Sequence, residues 1–203
     1  MVQNKGIVKK CLRALRLAYY YLRAKFILLY HYDKPKFIGG RWFHGGKYGA
    51  FTASGWKLVV DDYISCKKAH VNNHVMWPVS PQIRIINPEN IFFDPDDLNN
   101  FQGFGNYYQA IGKISIGGGT YIAPNVGIIT SNHDLDNLDN HLPPKDVVIG
   151  KECWLGMNSV ILPGVTLGDH TVVGAGSVVT NSFPEGNCVI AGNPAKVIKH
   201  LRK

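Results

Sequence analysis

The chain has 203 residues, is 45% hydrophobic and carries a formal charge of +8. That length suits one well-buried core with an appendage and argues against a second large domain. The basic balance comes without an RNA- or DNA-reading motif, which speaks against nucleic acid as a partner, and four cysteines (Cys11, Cys66, Cys153, Cys188) without CxxC or zinc-ribbon spacing are expected as free thiols in a reducing compartment.

All of the excess charge lies at the N-terminus. Residues 1–36 hold nine basic side chains (Lys5, Lys9, Lys10, Arg13, Arg16, Arg23, Lys25, Lys34, Lys36) against one acid, Asp33, while the other 13 basic and 13 acidic residues cancel. Val8, Leu12, Leu15, Tyr19, Leu22, Phe26 and Leu29 follow 4-3-4-3-4-3 spacing there, so residues 1–34 are expected as a basic amphipathic helix with one apolar seam. Basic residues interrupt it too often for a membrane span, and no small-residue cleavage site follows for a signal peptide. Two roles stay open: packing on the protein or a partner subunit, and lying on an anionic membrane surface through residues 1–30. The expected location is cytoplasmic, peripheral to the inner face of the membrane under the second role.

Residues 35–85 form a lead-in rich in glycine and aromatics (Gly39, Gly40, Trp42, Phe43, Gly45, Gly46, Tyr48, Gly49), followed by a β-like Trp56-Lys57-Leu58-Val59-Val60. Short strands and turns are expected there. His70 and His74, four apart with Pro78 after them, are read as structural.

Further on, Ile149, Leu155, Ile161, Leu167, Val173 and Val179 fall six residues apart, and Gly150, Gly156, Gly168 and Gly174 directly follow four of them. A period of six fits neither a helix nor an ordinary strand. It fits a parallel β-helix whose flat faces each use six residues, with an aliphatic side chain inward and a small residue at the corner. The same register runs back through Ile128, Ile122, Ile116, Ala110, Phe104, Leu98, Phe92 and Ile86, with firmer support over 116–130 and 149–184. Residues 86–190 are therefore expected as the β-helix. Between Ile128 and Ile149 the step is 21, three more than an 18-residue coil, so a loop over 131–146 should protrude. Solenoids often keep their function in such interruptions.

Specific stretches carry a family likeness: Ile116-Gly117 through Ile122-Ala123-Pro124-Asn125-Val126, Ser131-Asn132-His133-Asp134, Ile149-Gly150-Lys151-Glu152-Cys153-Trp154-Leu155-Gly156, Ile161-Leu162-Pro163-Gly164-Val165, Gly174-Ala175-Gly176-Ser177-Val178-Val179-Thr180, and Ala191-Gly192-Asn193-Pro194-Ala195-Lys196. Residues 113–200 resemble the hexapeptide-repeat acyltransferases, most closely the sugar and polysaccharide O-acetyltransferases that include galactoside and maltose acetyltransferases. The resemblance implies a mainly β fold, a left-handed parallel β-helix, in a homotrimer with active sites between subunits. It implies acetyl transfer from acetyl-CoA, as co-substrate, to a hydroxyl of a sugar or polysaccharide. The handedness comes from the resemblance alone, since parallel crossovers are otherwise right-handed.

His133 occupies the family's catalytic-histidine position, seventeen residues after Ile116. A sugar hydroxyl is a poor nucleophile near neutral pH, and an imidazole can take its proton as the oxygen attacks the thioester. Asn132 and Asp134 are candidates to orient the ring. Without a Gly-x-Ser-x-Gly elbow or an activated cysteine, direct transfer is expected instead of an acyl-enzyme, with backbone N–H groups near Trp154 to Gly156 for the oxyanion. The family's acceptor-contacting asparagine has its offset here on Gly103, with Asn100 and Asn106 nearby, and Asn106 is the acceptor candidate. The resemblance places the pantetheine arm of the cofactor along Trp154, Gly156, Ala175 and Thr180, and its phosphates near Lys196 and Lys199. Residues 191–203 are thus expected as a cofactor-binding tail; the alternative is that Lys196, Lys199, Arg202 and Lys203 are simply a solvated tail.

No metal is expected. His133 and His170 lie 37 apart, and no third histidine follows at close spacing to complete a zinc site of the kind related carbonic anhydrases use. Two other readings remain open: an N-acetyltransferase acting on an amino sugar or nucleotide sugar, and a non-catalytic β-helix scaffold.

Overall fold

A helix needs long, unbranched side chains and no proline inside it, and residues 2–30, rich in Leu, Ala, Lys and Arg, form α1 (Val2–Tyr30). The computed structural model describes the backbone of residues 2–45 and 50–202 and the side chains of 7–45 and 50–202. Gly46, Tyr48, Gly49 and Lys203, and the Lys5 side chain, lie outside the described residues. Ala24, Ile27 and Leu28 of α1 are buried, with Tyr20 and Tyr21 packed beside them. The seam from Val8 to Leu29 is not the packing face, for all seven of its residues are exposed.

The lead-in corrects the expected strand at Trp56–Val60. These residues open a second helix, α2 (Gly55–Ala69), with Trp56, Val59, Val60 and Cys66 buried on one face. Their 3-4 spacing is a helical period, and it prevails over the β-branched residues in the run. α2 ends where His70 turns left-handed and its N–H bonds to the carbonyls of Cys66 and Lys67. Trp56 joins the pieces, its ring 5.3 Å from Tyr21 and 5.2 Å from Phe43.

The coils then wind through three parallel faces, A, B and C. The first coil holds β1 (Arg84–Ile85) on A, β2 (Ile91–Phe92) on B and a 3-10 segment, Pro95–Phe101, in place of a strand on C. The second holds β3 (Tyr107–Tyr108), β4 (Ile114–Ile116) and β5 (Tyr121–Ile122); the third has β6 (Gly127–Ile128), β7 (Val147–Ile149) and β8 (Trp154–Leu155). The fourth holds β9 (Val160–Ile161), β10 (Thr166–Leu167) and β11 (Thr171–Val173), and β12 (Val178–Val179) begins a fifth on A. Phe183 bridges to Leu167 on B, and β13 (Cys188–Gly192) closes C before β14 (Ala195–His200) folds back antiparallel on it. The expected tail is therefore a hairpin on face C.

Register accounts for the core. Ile128, Ile161 and Val179 stack on A, Ile116, Ile149 and Leu167 on B, and Ile122, Leu155, Val173 and Ile190 on C. All but the half-buried Ile122 are buried. Upstream, the strict six-residue register fails. Ile85 and Tyr108, instead of Ile86 and Phe104, point inward on A, Ile91 replaces Phe92 on B, and both Phe92 and Phe104 are exposed. Coils of 23 and 20 residues (Ile85 to Tyr108 to Ile128) shift the phase, although Leu98 and Ala110 are buried. The loop is also larger than its expected excess of three. Ile116 pairs with Ile149, a step of 33 where a regular coil takes 18, so 15 residues are inserted at the edge between A and B.

Candidate active site

The inserted loop is a folded hairpin. The Asp134 N–H donates to the Asn140 carbonyl and the Leu142 N–H to the Asn132 carbonyl, so His133 and His141 form an antiparallel bridge. At its root the Gln109 side-chain oxygen accepts the N–H groups of Thr130 and Ser131 at 2.9 and 2.8 Å, and the Ser131 hydroxyl donates to the Leu142 carbonyl. These bonds hold an exposed segment in one geometry.

Within it, Nδ1 of His133 lies 2.6 Å from the Leu138 carbonyl oxygen. A carbonyl only accepts, so Nδ1 is the donor, which in a neutral ring leaves the lone pair on Nε2. The imidazole also packs on His141, with ring centroids 4.1 Å apart. The orienting group is thus a backbone carbonyl and not the expected neighbours. The Asp134 carboxylate accepts the Asp136 N–H, and Asn132 contributes its backbone carbonyl to the hairpin and lines a small cavity with Leu142, Pro143, Lys145 and Pro163.

Asn106 does not reach a surface. It is 1% exposed; its amide donates to the Tyr108 hydroxyl, and its side-chain oxygen accepts the Val126 N–H. Asn100 is likewise buried, donating to the Thr120 carbonyl and accepting from the Ile122 N–H. Both asparagines stand in for missing ladder partners where the first coils are irregular. Neither is available to an acceptor sugar.

The residues expected at the cofactor fall in two places. Thr180 follows β12 and is exposed at the A/B edge, two coils along from the loop root. Trp154 is exposed on face C between Tyr121 and Val172, Lys196 and Lys199 are exposed on β14 of the same face, and Ala175 is exposed at the C/A edge. In a three-faced solenoid the A/B edge lies opposite face C. One chain therefore does not bring His133 together with Trp154, Lys196 or Lys199.

Gly156 has a packing reason to be glycine. A Cβ there would lie 2.6 Å from the Val173 carbonyl oxygen and 2.7 Å from the Ala175 nitrogen, and its own N–H already bonds to Val173. That N–H is not free for an oxyanion, and the missing side chain admits the next coil. Gly150 and Gly168 are crowded in the same way by Asp169 and Pro184.

Three of the four cysteines are buried, and burial pushes the Cys66 thiol up to about 11 and raises those of Cys153 and Cys188. A thiol held protonated is a poor nucleophile. Among the described residues no group of three or more His, Cys, Asp or Glu is placed to hold a metal ion, and no helix is long and apolar enough to cross a membrane. His74 bonds to the carbonyls of Ile85 and Ile86, and His170 pairs with Glu152 at 3.1 Å.

Residues 146–181 match the family described as bacterial transferase hexapeptide (six repeats). A putative lipopolysaccharide biosynthesis O-acetyl transferase of Escherichia coli K12 is 44% identical over 105 residues, 46% of this chain and 53% of that one. Galactoside O-acetyltransferase of the same strain is 38% identical over 91 residues, covering 43% and 44%. Among solved structures, a maltose O-acetyltransferase from Clostridium difficile 630 is 36% identical over 60% of each chain, with a TM-score of 0.46. The chain spans about half the length of the curated relatives it matches. Residues 146–181 thus carry the bacterial transferase hexapeptide repeat, and the six-residue period and stacked parallel coils agree with the chain's likeness to sugar O-acetyltransferases.

Proposed function

We propose that the protein transfers an acetyl group from acetyl-CoA to a hydroxyl of a sugar or polysaccharide, with His133 as general base. One observation carries this reading: Nδ1 of His133 sits against the Leu138 carbonyl on an exposed, well-braced loop, which in a neutral ring puts the lone pair on Nε2. Nε2 takes the hydroxyl proton as that oxygen bonds to the thioester carbon. The tetrahedral intermediate then collapses, the C–S bond breaks, and the proton passes from imidazolium to the departing thiolate. Tight positioning supplies the rest of the rate. The likeness to sugar O-acetyltransferases supports the donor and acceptor class.

The reading places Trp154, Ala175 and Thr180 along the pantetheine arm and Lys196 and Lys199 at the phosphates. It requires a homotrimer, because the A/B edge of one chain must meet face C of a neighbour to complete the site. Residues 1–30 lie at the inner membrane surface in a cytoplasmic enzyme.

Incubation with labelled acetyl-CoA and a panel of mono-, oligo- and lipid-linked saccharides, followed by mass spectrometry, tests the reading. Label on a sugar hydroxyl supports it. Label on an amine alone, or on no acceptor while acetyl-CoA binds, contradicts it. Sedimentation should show a trimer, and a stable, active monomer would contradict the shared site.

A further inference from the structure

α1 is apolar on two opposite sides. With 3.6 residues per turn, Ala24 and Leu28 point to the body, while Leu12, Leu15, Tyr19, Leu22 and Phe26 point the other way. The first pair is buried, and Leu15 and Leu22 are each 67% exposed. Residues 7–16 are exposed, and only from Arg13 onward does the helix line a cavity with Phe51, Thr52 and Trp56 of the body. A continuous apolar stripe of this length is uncommon on a surface that meets only water.

The charges beside the stripe identify what covers it. α1 contains seven basic residues and no acid. By helical position Lys9, Arg16 and Arg23 lie along one flank, and Lys25 along the other, where its ammonium sits over the Tyr21 and Trp56 rings. A second copy of the helix would set cation against cation, where paired helices normally oppose unlike charges along their seam. An acyl boundary beneath anionic headgroups meets both the apolar stripe and its cationic margins. Tyr19, Phe26 and Tyr30, all exposed, add aromatic rings suited to that interface.

We infer that the outward face of α1 docks the protein onto an anionic lipid bilayer, while the opposite face holds the helix to the body. α1 lies in the interface plane and does not cross. This inference rests on the proposed membrane location and adds the docking face and the opposite face that anchors the helix; it is independent of acetyl transfer because binding is read without substrate.

The test is co-sedimentation of the full-length protein with vesicles of mixed phosphatidylcholine and phosphatidylglycerol, or of phosphatidylcholine alone, at low salt. The partition coefficient should be at least roughly tenfold higher on the anionic vesicles and should fall as salt rises. Leu15→Glu with Leu22→Glu, both exposed and therefore harmless to the fold as checked by melting temperature, should abolish binding. Lys9→Gln, Arg16→Gln and Arg23→Gln together should remove the preference for anionic lipid. Absence of binding, or equal binding to neutral vesicles, would overturn the inference. So would a change of oligomeric state in the Leu15→Glu, Leu22→Glu variant, because the stripe would then be covered by another copy.

Discussion

The side-chain oxygen of Gln109 accepts two backbone N–H groups, those of Thr130 and Ser131, and so ties the second coil to the root of the His133 loop. No sequence motif marks Gln109. Its importance follows from where the insertion leaves the solenoid, since the two amides at that edge have lost the ladder partner a regular coil would supply.

Gln109→Ala should therefore lower kcat about tenfold or more with little change in the KM for acetyl-CoA, because a loosened loop misplaces the imidazole. Gln109→Glu keeps an acceptor for both N–H groups and should recover most of the rate. Equal activity of Gln109→Ala and the unaltered protein would remove the positioning role.

Gly156→Ala should destabilise without touching the loop. Its Cβ would meet the Val173 carbonyl at 2.6 Å, and backbone cannot yield as a flexible side chain does. A loss of about 1–3 kcal/mol is expected, seen as a lower melting temperature. An unchanged melting temperature would show that the coils relax freely.

Asp62 gives a pH signature. Burial pushes its carboxyl up to about 6, opposed by a hydrogen bond from Gln102 and helped by Asp61. A carboxyl whose folded pKa is raised favours folding below its unfolded pKa near 4, and that contribution is lost as pH rises through about 6. Asp62→Asn should match the unaltered protein near pH 4 and exceed it at pH 8 by at most roughly 3 kcal/mol. Parallel melting curves for the two proteins across that range would contradict the assignment.

Lys196 and Lys199 stand exposed on β14, opposite Ala191 and Val189. If they face the nucleotide phosphates, Lys196→Glu with Lys199→Glu should weaken acetyl-CoA far more than its dephospho analogue in calorimetry. Equal losses would point to the hairpin's fold instead.

Much of this was legible in the sequence where the chain is regular. Ile149 to Val179 keep phase because each coil takes 18 residues, and a six-residue period has few structural rivals. Phe92 and Phe104 misled because coils of irregular length break phase, which hydrophobicity alone does not reveal. Trp56, Val59, Val60, Tyr63 and Cys66 have helical spacing, but the β-branched pair within the run favours a strand when taken alone. At the candidate site, the motif marks His133. No motif marks its partners, the Leu138 carbonyl and the His141 ring, because they depend on a hairpin turn and not on a side-chain pattern. Asn106 shows the reverse case, a plausible residue type that the fold keeps for its own unpaired amides.

The most direct measurement is acetyl transfer by His133→Ala. With Nε2 gone and the loop still tied by Gln109, acetyl-CoA binding and melting temperature should stay unchanged while turnover falls by at least about 10²-fold, the share expected of a general base. Turnover near that of the unaltered protein would contradict the account.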